Sequence, residues 1–365
     1  MTPSLDAFPT LTTALRGLMG GLALCAAAQA QVGLATLVVG DMPVTLVYPT
    51  AQMAQPVAFG PFELTVAPDA APLPGVRRLV LLSHGTGGST TADHDLAATL
   101  ARAGCVVAQP LHPGDNYRDT SRAGPAAWAT RPQDVTRVID ALAQHAQWQP
   151  LLALDKVGVH GMSAGGVTAL SLAGGQWRVL DLVRHCAAQA DADAGFCFNG
   201  LPDAAARAAR KAQFERSQGV PEASFPADLT ALHGGRSPAA AGDELRPDPR
   251  VAAVTVAVPV AAIFSHASLA RLRVPVGVVG ARLDTMLMPA FHSARLLREC
   301  PSCTLLADLR GAAHMDLVSP WPASLASSTA ARQTLGALPA PGFDARQRDA
   351  AFAGIAAFYQ RELAR

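Results

Sequence analysis

The chain has few charged residues and very little lysine. Only 16% of its 365 residues are charged, the formal net charge is +1, and lysine occurs only at Lys156 and Lys211. No basic run or helix stands out, whereas nucleic-acid-binding proteins normally carry a basic stripe. The composition therefore argues against a nucleic-acid partner. Half of the residues are hydrophobic, which predicts a large packed core rather than a disordered chain.

Long apolar runs and cofactor motifs are also missing. The apolar segment 251–264 is interrupted by proline and too short for a bilayer, so we expect a buried strand there. The sequence contains no G-x-x-x-x-G-K-[ST], no H-E-x-x-H and no clustered metal-ligand spacing, and its G-T-G-G turn lacks the full G-x-G-x-x-G. We therefore expect no stable membrane span, no cofactor and no metal.

The N-terminal segment has the features of an export signal. An apolar stretch at 17–28 follows Arg16, and the sequence A-Q-A at 28–30 matches the small-residue pattern before a signal-peptidase site. We predict a signal peptide over residues 1–30 and a periplasmic or secreted bacterial protein. Lipoprotein anchoring at Cys25 is the alternative, although Leu24 stands where that site usually takes a small residue.

Export permits disulfides, and the mature chain would keep five cysteines. We predict a buried free thiol at Cys105, which lies in an apolar strand-like run, and a bridge between Cys186 and Cys197. The C-x-x-C formed by Cys300 and Cys303 predicts a local structural disulfide. Redox chemistry would need a thioredoxin-like context and zinc a second ligand pair, and neither is evident.

Strand-like and helix-like segments alternate along most of the chain. Short strands are predicted at the start, and strand–helix alternation runs through 78–173 and resumes after 251. One helix is predicted to start at Pro132, because proline is tolerated in a first helical turn. The pattern predicts an α/β fold with a doubly wound, mostly parallel sheet. The segment 174–247 has no clear strand and is predicted to be a mostly helical cap inserted into a single domain, 31–365.

One pentapeptide carries the strongest chemical signal. The sequence G-M-S-A-G at 161–165 is a G-x-S-x-G, preceded by a predicted strand and followed by a predicted helix. The pentapeptide alone is weak, but this strand–turn–helix setting is what a nucleophile elbow requires. The sharp turn lifts the serine oxygen above the sheet edge, and its flanking residues must be small to avoid collision. We predict that Ser163 is a nucleophile.

A second glycine-rich turn, S-H-G-T-G-G at 83–88, follows an apolar strand. Attack on a carbonyl group develops negative charge on its oxygen, and two backbone N–H groups must point at that oxygen. We predict that Ala164, the residue after the nucleophile, and Thr86 supply this oxyanion hole. We expect His84 to pack within the loop rather than to act as a base.

The order of the partners along the chain limits the remaining candidates. In proteins with such an elbow the order is serine, acid, histidine. His314 lies in a loop of small residues and is the predicted base. Asp284 follows a predicted strand, precedes His314 and is the predicted acid that would hold the imidazole in place. Asp308 and Asp316 are the alternatives.

Four motifs together resemble a family of exported bacterial hydrolases. They are S-H-G-T-G-G at 83–88, H-P-G-D-N at 112–116, R-P-Q-D at 131–134 and G-M-S-A-G-G at 161–166. The family is usually called predicted dienelactone hydrolases and is related to platelet-activating-factor acetylhydrolases. The resemblance covers residues 44–318 and implies an α/β-hydrolase fold with a serine triad acting on carboxylic esters.

The chain departs from that family name at its nucleophile. True dienelactone hydrolases use a cysteine, whereas this chain has Ser163, so the name does not identify the substrate. The H-P-G-D-N and R-P-Q-D motifs are expected to order loops beside the site. Together the features predict an exported serine esterase acting on a small-molecule ester or lipid-like substrate. The alternative is a non-catalytic exported binding protein that keeps the fold, with His314 turned away from Ser163.

Overall fold

The computed structural model describes residues 30–199, 201, 203–221, 224, 247–334 and 337–364. Within them, ten strands form one mixed sheet. The strands are β1 (Gln31–Val39), β2 (Met42–Thr50), β3 (Gln55–Phe59), β4 (Phe62–Pro68), β5 (Arg77–Ser83), β6 (Val106–Pro110), β7 (Leu152–Met162), β8 (Val251–Ala257), β9 (Val276–Ala281) and β10 (Cys303–Leu309). Their order is β10-β9-β8-β7-β5-β6-β2-β1-β4-β3.

Six neighbouring strands of this sheet run parallel. β5 pairs in parallel with β6 and β7, and β8, β9 and β10 continue the parallel arrangement beyond β7. Among the first four strands, β1–β2 and β3–β4 are antiparallel pairs, and β1 also pairs in parallel with β4. These strands join the rest of the sheet through an antiparallel β2–β6 pair. The carboxyl ends of the parallel strands therefore share one edge of the sheet, which is where such folds hold their ligands.

Helices cover both faces of the parallel strands. They are α1 (His94–Arg102), α2 (Pro125–Gln144), α3 (Ala164–Leu172), α4 (Val179–Gln189), α5 (Ala194–Phe198), α6 (Ala204–Ser217), α7 (His266–Leu269), α8 (Ser293–Glu299), α9 (Ala323–Ala326), α10 (Thr329–Thr334) and α11 (Ala345–Ala364). The predicted doubly wound α/β class is confirmed.

β5 shows how the sequence builds a two-sided core. Leu79 and Leu81 belong to the apolar cluster on one face, with α2 and α3, whereas Val80 and Leu82 belong to the cluster on the other face, with α1 and α11. Because side chains alternate along a strand, a continuous apolar run buries both faces.

The predicted start of α2 is wrong. The helix begins at Pro125 rather than at Pro132, which lies inside it. A proline there removes one intrahelical hydrogen bond. The preceding turn is nevertheless helical because it is buried: Trp128 packs edge-on against Trp177, with ring centroids 5.8 Å apart. Tertiary packing outweighs the local signal of the proline.

The described part of the predicted cap contains α4, α5 and α6. The predicted bridges Cys186–Cys197 and Cys300–Cys303 are both present. Cys105 is buried and free, as predicted, and burial raises the pKa of its thiol to about 11.

No helix in the described ranges is long and apolar enough to cross a membrane. Apart from Ala30, the predicted signal peptide lies outside the described residues, and so does Cys25.

The docking of α11 depends on a buried hydroxyl. Tyr359 Oη accepts from the Thr255 backbone N–H at 3.1 Å and lies 2.7 Å from Thr255 Oγ1. Replacing Tyr359 by Phe leaves the buried polar groups of Thr255 without this partner. We expect Tyr359→Phe to lower the free energy of unfolding by about 1–3 kcal/mol, measured by urea denaturation. The exposed Tyr117 is the matched control, and Tyr117→Phe should change it by less than about 0.5 kcal/mol. Equal effects of the two variants would contradict this account.

Candidate active site

Ser163 occupies a sharp turn between β7 and α3. Its backbone has φ 54° and ψ −117°, a left-handed conformation that is costly for a non-glycine residue. Three hydrogen bonds hold it: Ser163 N–H donates to Ala257 O at 3.0 Å, and its carbonyl oxygen accepts from Gly166 N–H at 2.9 Å and Val260 N–H at 3.0 Å. The strand–turn–helix geometry is that of a nucleophile elbow.

Glycine is required on both sides of this turn. A Cβ atom on Gly161 would overlap the Gly165 carbonyl oxygen, and one on Gly165 would overlap the Ser83 carbonyl oxygen. The backbones of β7, α3 and β5 meet there without intervening side chains. The small residues of the G-x-S-x-G therefore reflect steric necessity.

Asp284 and His314 form a buried pair at the same edge of the sheet. Asp284 follows β9, His314 follows β10, and His314 Nδ1 lies 2.7 Å from Asp284 Oδ2. Asp284 is 2% exposed and His314 5%. The other carboxylate oxygen accepts the backbone N–H groups of Met286 at 2.9 Å and Leu287 at 2.8 Å. These bonds fix the carboxylate and direct His314 Nε2 away from it.

The alternative acids make other contacts. Arg282 Nε donates to Asp308 at 2.7 Å, and Asp316 accepts the backbone N–H groups of Ala313 at 2.8 Å and Ala340 at 3.0 Å. Among the three candidates, Asp284 is the one bonded to His314.

Ser163 and the His314–Asp284 pair emerge from nearby strands. Two strand spacings separate β7 from β9, which is about 10 Å. Met162, just before Ser163, shares one apolar cluster with Ala312 and Leu317, which flank His314. The Ser163 hydroxyl is half-buried and makes no hydrogen bond to the described residues.

The predicted oxyanion loop packs against this turn. A Cβ atom on Gly85 would lie 3.4 Å from Ser163 Cβ. Thr86 is exposed, and its N–H makes no hydrogen bond to the described residues. Gly87 N–H, in contrast, donates to Asp115 Oδ1 at 2.9 Å. Ala164 begins α3, where N–H groups have no intrahelical acceptor. These positions leave the Thr86 and Ala164 N–H groups available to a ligand.

A buried ion pair supports the loop from behind. Arg131 Nη2 donates to Asp115 Oδ2 at 2.7 Å, and Arg131 Nη1 donates to His84 O at 2.6 Å, with both charged side chains fully buried. His84 Nε2 accepts from His112 N–H at 3.3 Å, so its Nδ1 carries the proton and donates to Gly85 O at 2.7 Å. Burial, helped by Arg131, holds the pKa of His84 well below its usual value. His84 is thus a packing residue of the loop, as expected.

A second serine–histidine–aspartate arrangement lies beneath the loop. Ser83 Oγ lies 2.9 Å from His112 Nε2, and His112 Nδ1 lies 2.9 Å from Asp134 Oδ2. All three side chains are buried, and burial lowers the pKa of His112. Sequence reasoning missed this arrangement, although His112 and Asp134 lie in the two motifs expected to order loops and Ser83 begins the predicted oxyanion turn. Because Ser83 is closed to solvent, this arrangement cannot receive a substrate in this conformation.

Comparisons with known proteins found similarity in structure but not in sequence. No family model matches the sequence, and a search of curated proteins finds no match. A ferulic acid esterase from Streptomyces cinnamoneus is similar in structure, with a TM-score of 0.54, 17% identity, and coverage of 92% of this chain and 91% of that chain. A CIB-like hydrolase from Thermoplasma acidophilum has a TM-score of 0.38 and 12% identity, over 78% of this chain and 89% of that chain.

The strand order and the first of these similarities define the class of the protein: it has the α/β-hydrolase fold, as the sequence predicted. The narrower resemblance to the exported dienelactone hydrolase-like family stays a prediction.

The close approach at Gly165 can be tested by stability. We expect Gly165→Ala to lower the melting temperature markedly, since the added methyl group meets the rigid Ser83 carbonyl group rather than a movable side chain. Gly354 in α11 is the control, because a Cβ there meets no atom within 4 Å. Gly354→Ala should leave the melting temperature unchanged or raise it slightly, because alanine favours a helix. A Gly165→Ala protein as stable as the wild type would refute the packing argument.

Proposed function

We propose that the protein is an exported serine hydrolase that cleaves carboxylic esters. Ser163 is the nucleophile, His314 the general base, and Asp284 the carboxylate that orients and stabilises the imidazole. The Thr86 and Ala164 N–H groups form the oxyanion hole.

The observation that carries the proposal is the buried His314–Asp284 pair beside a strained serine turn. The 2.7 Å hydrogen bond occupies His314 Nδ1 and leaves Nε2 to accept a proton. The conformation of Ser163, held by backbone hydrogen bonds, presents its hydroxyl group at the sheet edge. In unliganded sites the bond from hydroxyl to imidazole is often long and tightens when substrate binds.

The chemistry follows in two acyl transfers. Ser163 Oγ attacks the ester carbonyl carbon while His314 Nε2 takes the hydroxyl proton. His314 then gives that proton to the departing alkoxide, which leaves as the alcohol, and the acyl group remains on Ser163. A water molecule, deprotonated by His314, attacks the acyl-enzyme. His314 then returns this proton to Ser163 Oγ as the bond between Ser163 Oγ and the acyl carbon breaks, and the carboxylic acid leaves. Asp284 stabilises the imidazolium at each stage without taking its proton.

Stabilisation of the oxyanion is assigned to the backbone. A ligand carbonyl oxygen near Ser163 would lie close to the first N–H of α3 and to the neighbouring Thr86 N–H. Removing one such donor typically costs about 3 kcal/mol of transition-state stabilisation. The Arg131–Asp115 pair supports the loop that carries Thr86 and so contributes rigidity rather than chemistry.

The substrate class is a small-molecule ester or a lipid-like ester. Preference for esters over amides is supported by the motif resemblance and by the name of the structurally similar ferulic acid esterase. The helical insertion is proposed to roof the acyl pocket. Export is supported by the signal-like N-terminus and by the two disulfides, which are typical of oxidising compartments.

The second candidate is a binding protein that retains the fold without turnover. It is disfavoured because the predicted acid and base are bonded to each other at the predicted edge of the sheet. Turnover of a short p-nitrophenyl ester separates the two functions.

We expect Ser163→Ala to lower kcat at least about 1,000-fold and to abolish labelling by a fluorophosphonate, since the proposal places the acyl group on Ser163 Oγ. The matched control is Ser83→Ala, which removes the serine of the second, buried arrangement and should leave Ser163 labelled. If labelling were lost in Ser83→Ala but kept in Ser163→Ala, Ser83 would be the nucleophile and the assignment to Ser163 would be wrong. A wild-type protein that neither turns over esters nor reacts with the probe would favour the binding function.

A further inference from the structure

A buried carboxylate of the insertion contacts the loop that carries the proposed acid. Asp193 Oδ2 lies 2.8 Å from His185 Nε2 and 2.9 Å from His292 Nε2, and Asp193 Oδ1 accepts the Met288 N–H at 3.2 Å. Its side chain is fully buried. Burial raises the pKa of this carboxyl group, but hydrogen bonds from the two imidazoles more than offset that effect and lower it to about 2. Asp193 is therefore ionised at neutral pH.

The tautomer of His292 is fixed by its surroundings. His292 Nδ1 accepts the Ala261 N–H at 3.0 Å, so Nε2 carries the proton and donates it to Asp193. Burial lowers the pKa of His292, which keeps the imidazole neutral. Ala261 follows Val260, whose N–H donates to the Ser163 carbonyl oxygen. His292 thus joins the insertion to the segment beside the elbow.

The loop after β9 carries Asp284 and is named the acid loop. It makes two consecutive sets of hydrogen bonds from backbone N–H groups to carboxylates. Met286 and Leu287 donate their N–H groups to Asp284 Oδ1, and the next residue, Met288, donates to Asp193. Each carboxylate thereby fixes part of the same short turn. Displacing Met288 would displace the N–H groups that orient Asp284.

Two further features hold Asp193 beside the acid loop. The Cys186–Cys197 disulfide ties α4 to α5, and Asp193 lies between its two cysteines, just before α5. A Cβ atom on Gly195 would overlap the Thr285 carbonyl oxygen, so α5 packs directly on the loop backbone. The insertion and the acid loop form one packed unit.

We propose that Asp193 is a positioning residue for Asp284: the insertion holds the acid loop through this carboxylate and thereby aligns the His314–Asp284 pair. The inference rests on the proposed function and deepens it. In this view the insertion contributes to turnover through alignment, in addition to any contact with the acyl group.

A metal site is a poorer account of the same cluster. His185, Asp193 and Cys197 have ligand atoms within 4.8 Å of one another. However, the Cys197 sulfur is bonded to Cys186, and His185 and Asp193 are hydrogen bonded to each other. Cys197 therefore cannot act as a thiolate ligand, and the two remaining groups are already bonded to each other.

The test compares Asp193→Asn with Asp191→Asn on a p-nitrophenyl ester. Asparagine at this position replaces one accepting oxygen by an NH2 donor. That donor would face the Met288 N–H on one side or the two imidazole N–H groups on the other, so at least one hydrogen bond is lost. We expect kcat to fall between about 10- and 100-fold with KM changed by less than about twofold, because misplacement of a catalytic group acts on turnover. Asp191 lies on the same turn but is exposed and paired with Lys211, so Asp191→Asn should retain wild-type kcat.

A double-variant cycle distinguishes positioning from general stability. In an Asp284→Asn background the acid is already lost, so Asp193→Asn should cost less than about threefold in kcat. If Asp193→Asn lowers kcat by the same factor with and without Asp284, the two residues act independently and the proposal is overturned. If Asp193→Asn leaves kcat unchanged while activity still requires Ser163, the positioning role of Asp193 is overturned but the proposed function is not. If activity does not require Ser163, the proposed function itself is overturned.

A second variant keeps the test valid if Asp193→Asn does not fold. His185→Phe preserves the ring that packs 5.3 Å from Phe291 and removes only one donor to Asp193. It should lower kcat in the same direction by a smaller factor, again only when Asp284 is present. A wild-type kcat in a folded His185→Phe protein, or an equal loss without Asp284, counts against the proposal.

Discussion

The structure depends on the close approach of α3 to β5 beneath Ser163. At Gly165 the helix backbone touches the Ser83 carbonyl group, and no side chain fits between them. This contact forces the chain to leave β7 through a positive-φ serine, a conformation that costs about 1–3 kcal/mol. Hydrogen bonds offset that cost: the Ser163 N–H donates to Ala257 in β8, and its carbonyl oxygen accepts from Val260, just after β8, and from Gly166 in α3. The position of the proposed nucleophile is therefore set by backbone packing and is independent of the hydroxyl group itself.

The loop opposite Ser163 is held by charges where a glycine-rich turn alone would be mobile. Arg131 and Asp115 are fully buried, and burying two charges is expensive unless each has further partners. Here both do: Arg131 also donates to the His84 carbonyl group, and Asp115 accepts the Gly87 N–H. Three glycines would otherwise let the 83–88 segment sample many conformations. The ion pair thus fixes the loop in which Thr86 N–H remains free for a ligand.

How much of this could be predicted from sequence depends on the range of the interactions. The elbow at Ser163 and the α/β class follow from local patterns, because strand, turn and helix are adjacent in the chain. The pairing of Asp284 with His314 could be predicted because each residue follows a predicted strand and the acid precedes the histidine in the chain. The start of α2 could not, because burial of Trp128 outweighs the signal of Pro132. The role of Asp193 carries no local signature: two of its partners, Met288 and His292, lie 95 and 99 residues away in sequence and meet it only in the folded chain.

The same long-range contacts constrain what the insertion can become. If it served only as a roof over the acyl pocket, its residues could change freely with the substrate. Asp193 and Gly195 instead contact the acid loop, and the Cys186–Cys197 bridge ties the segment that carries them to α4. A change that reshapes the pocket through α4 or α5 must therefore keep the Met288 N–H and His292 Nε2 in register with Asp193.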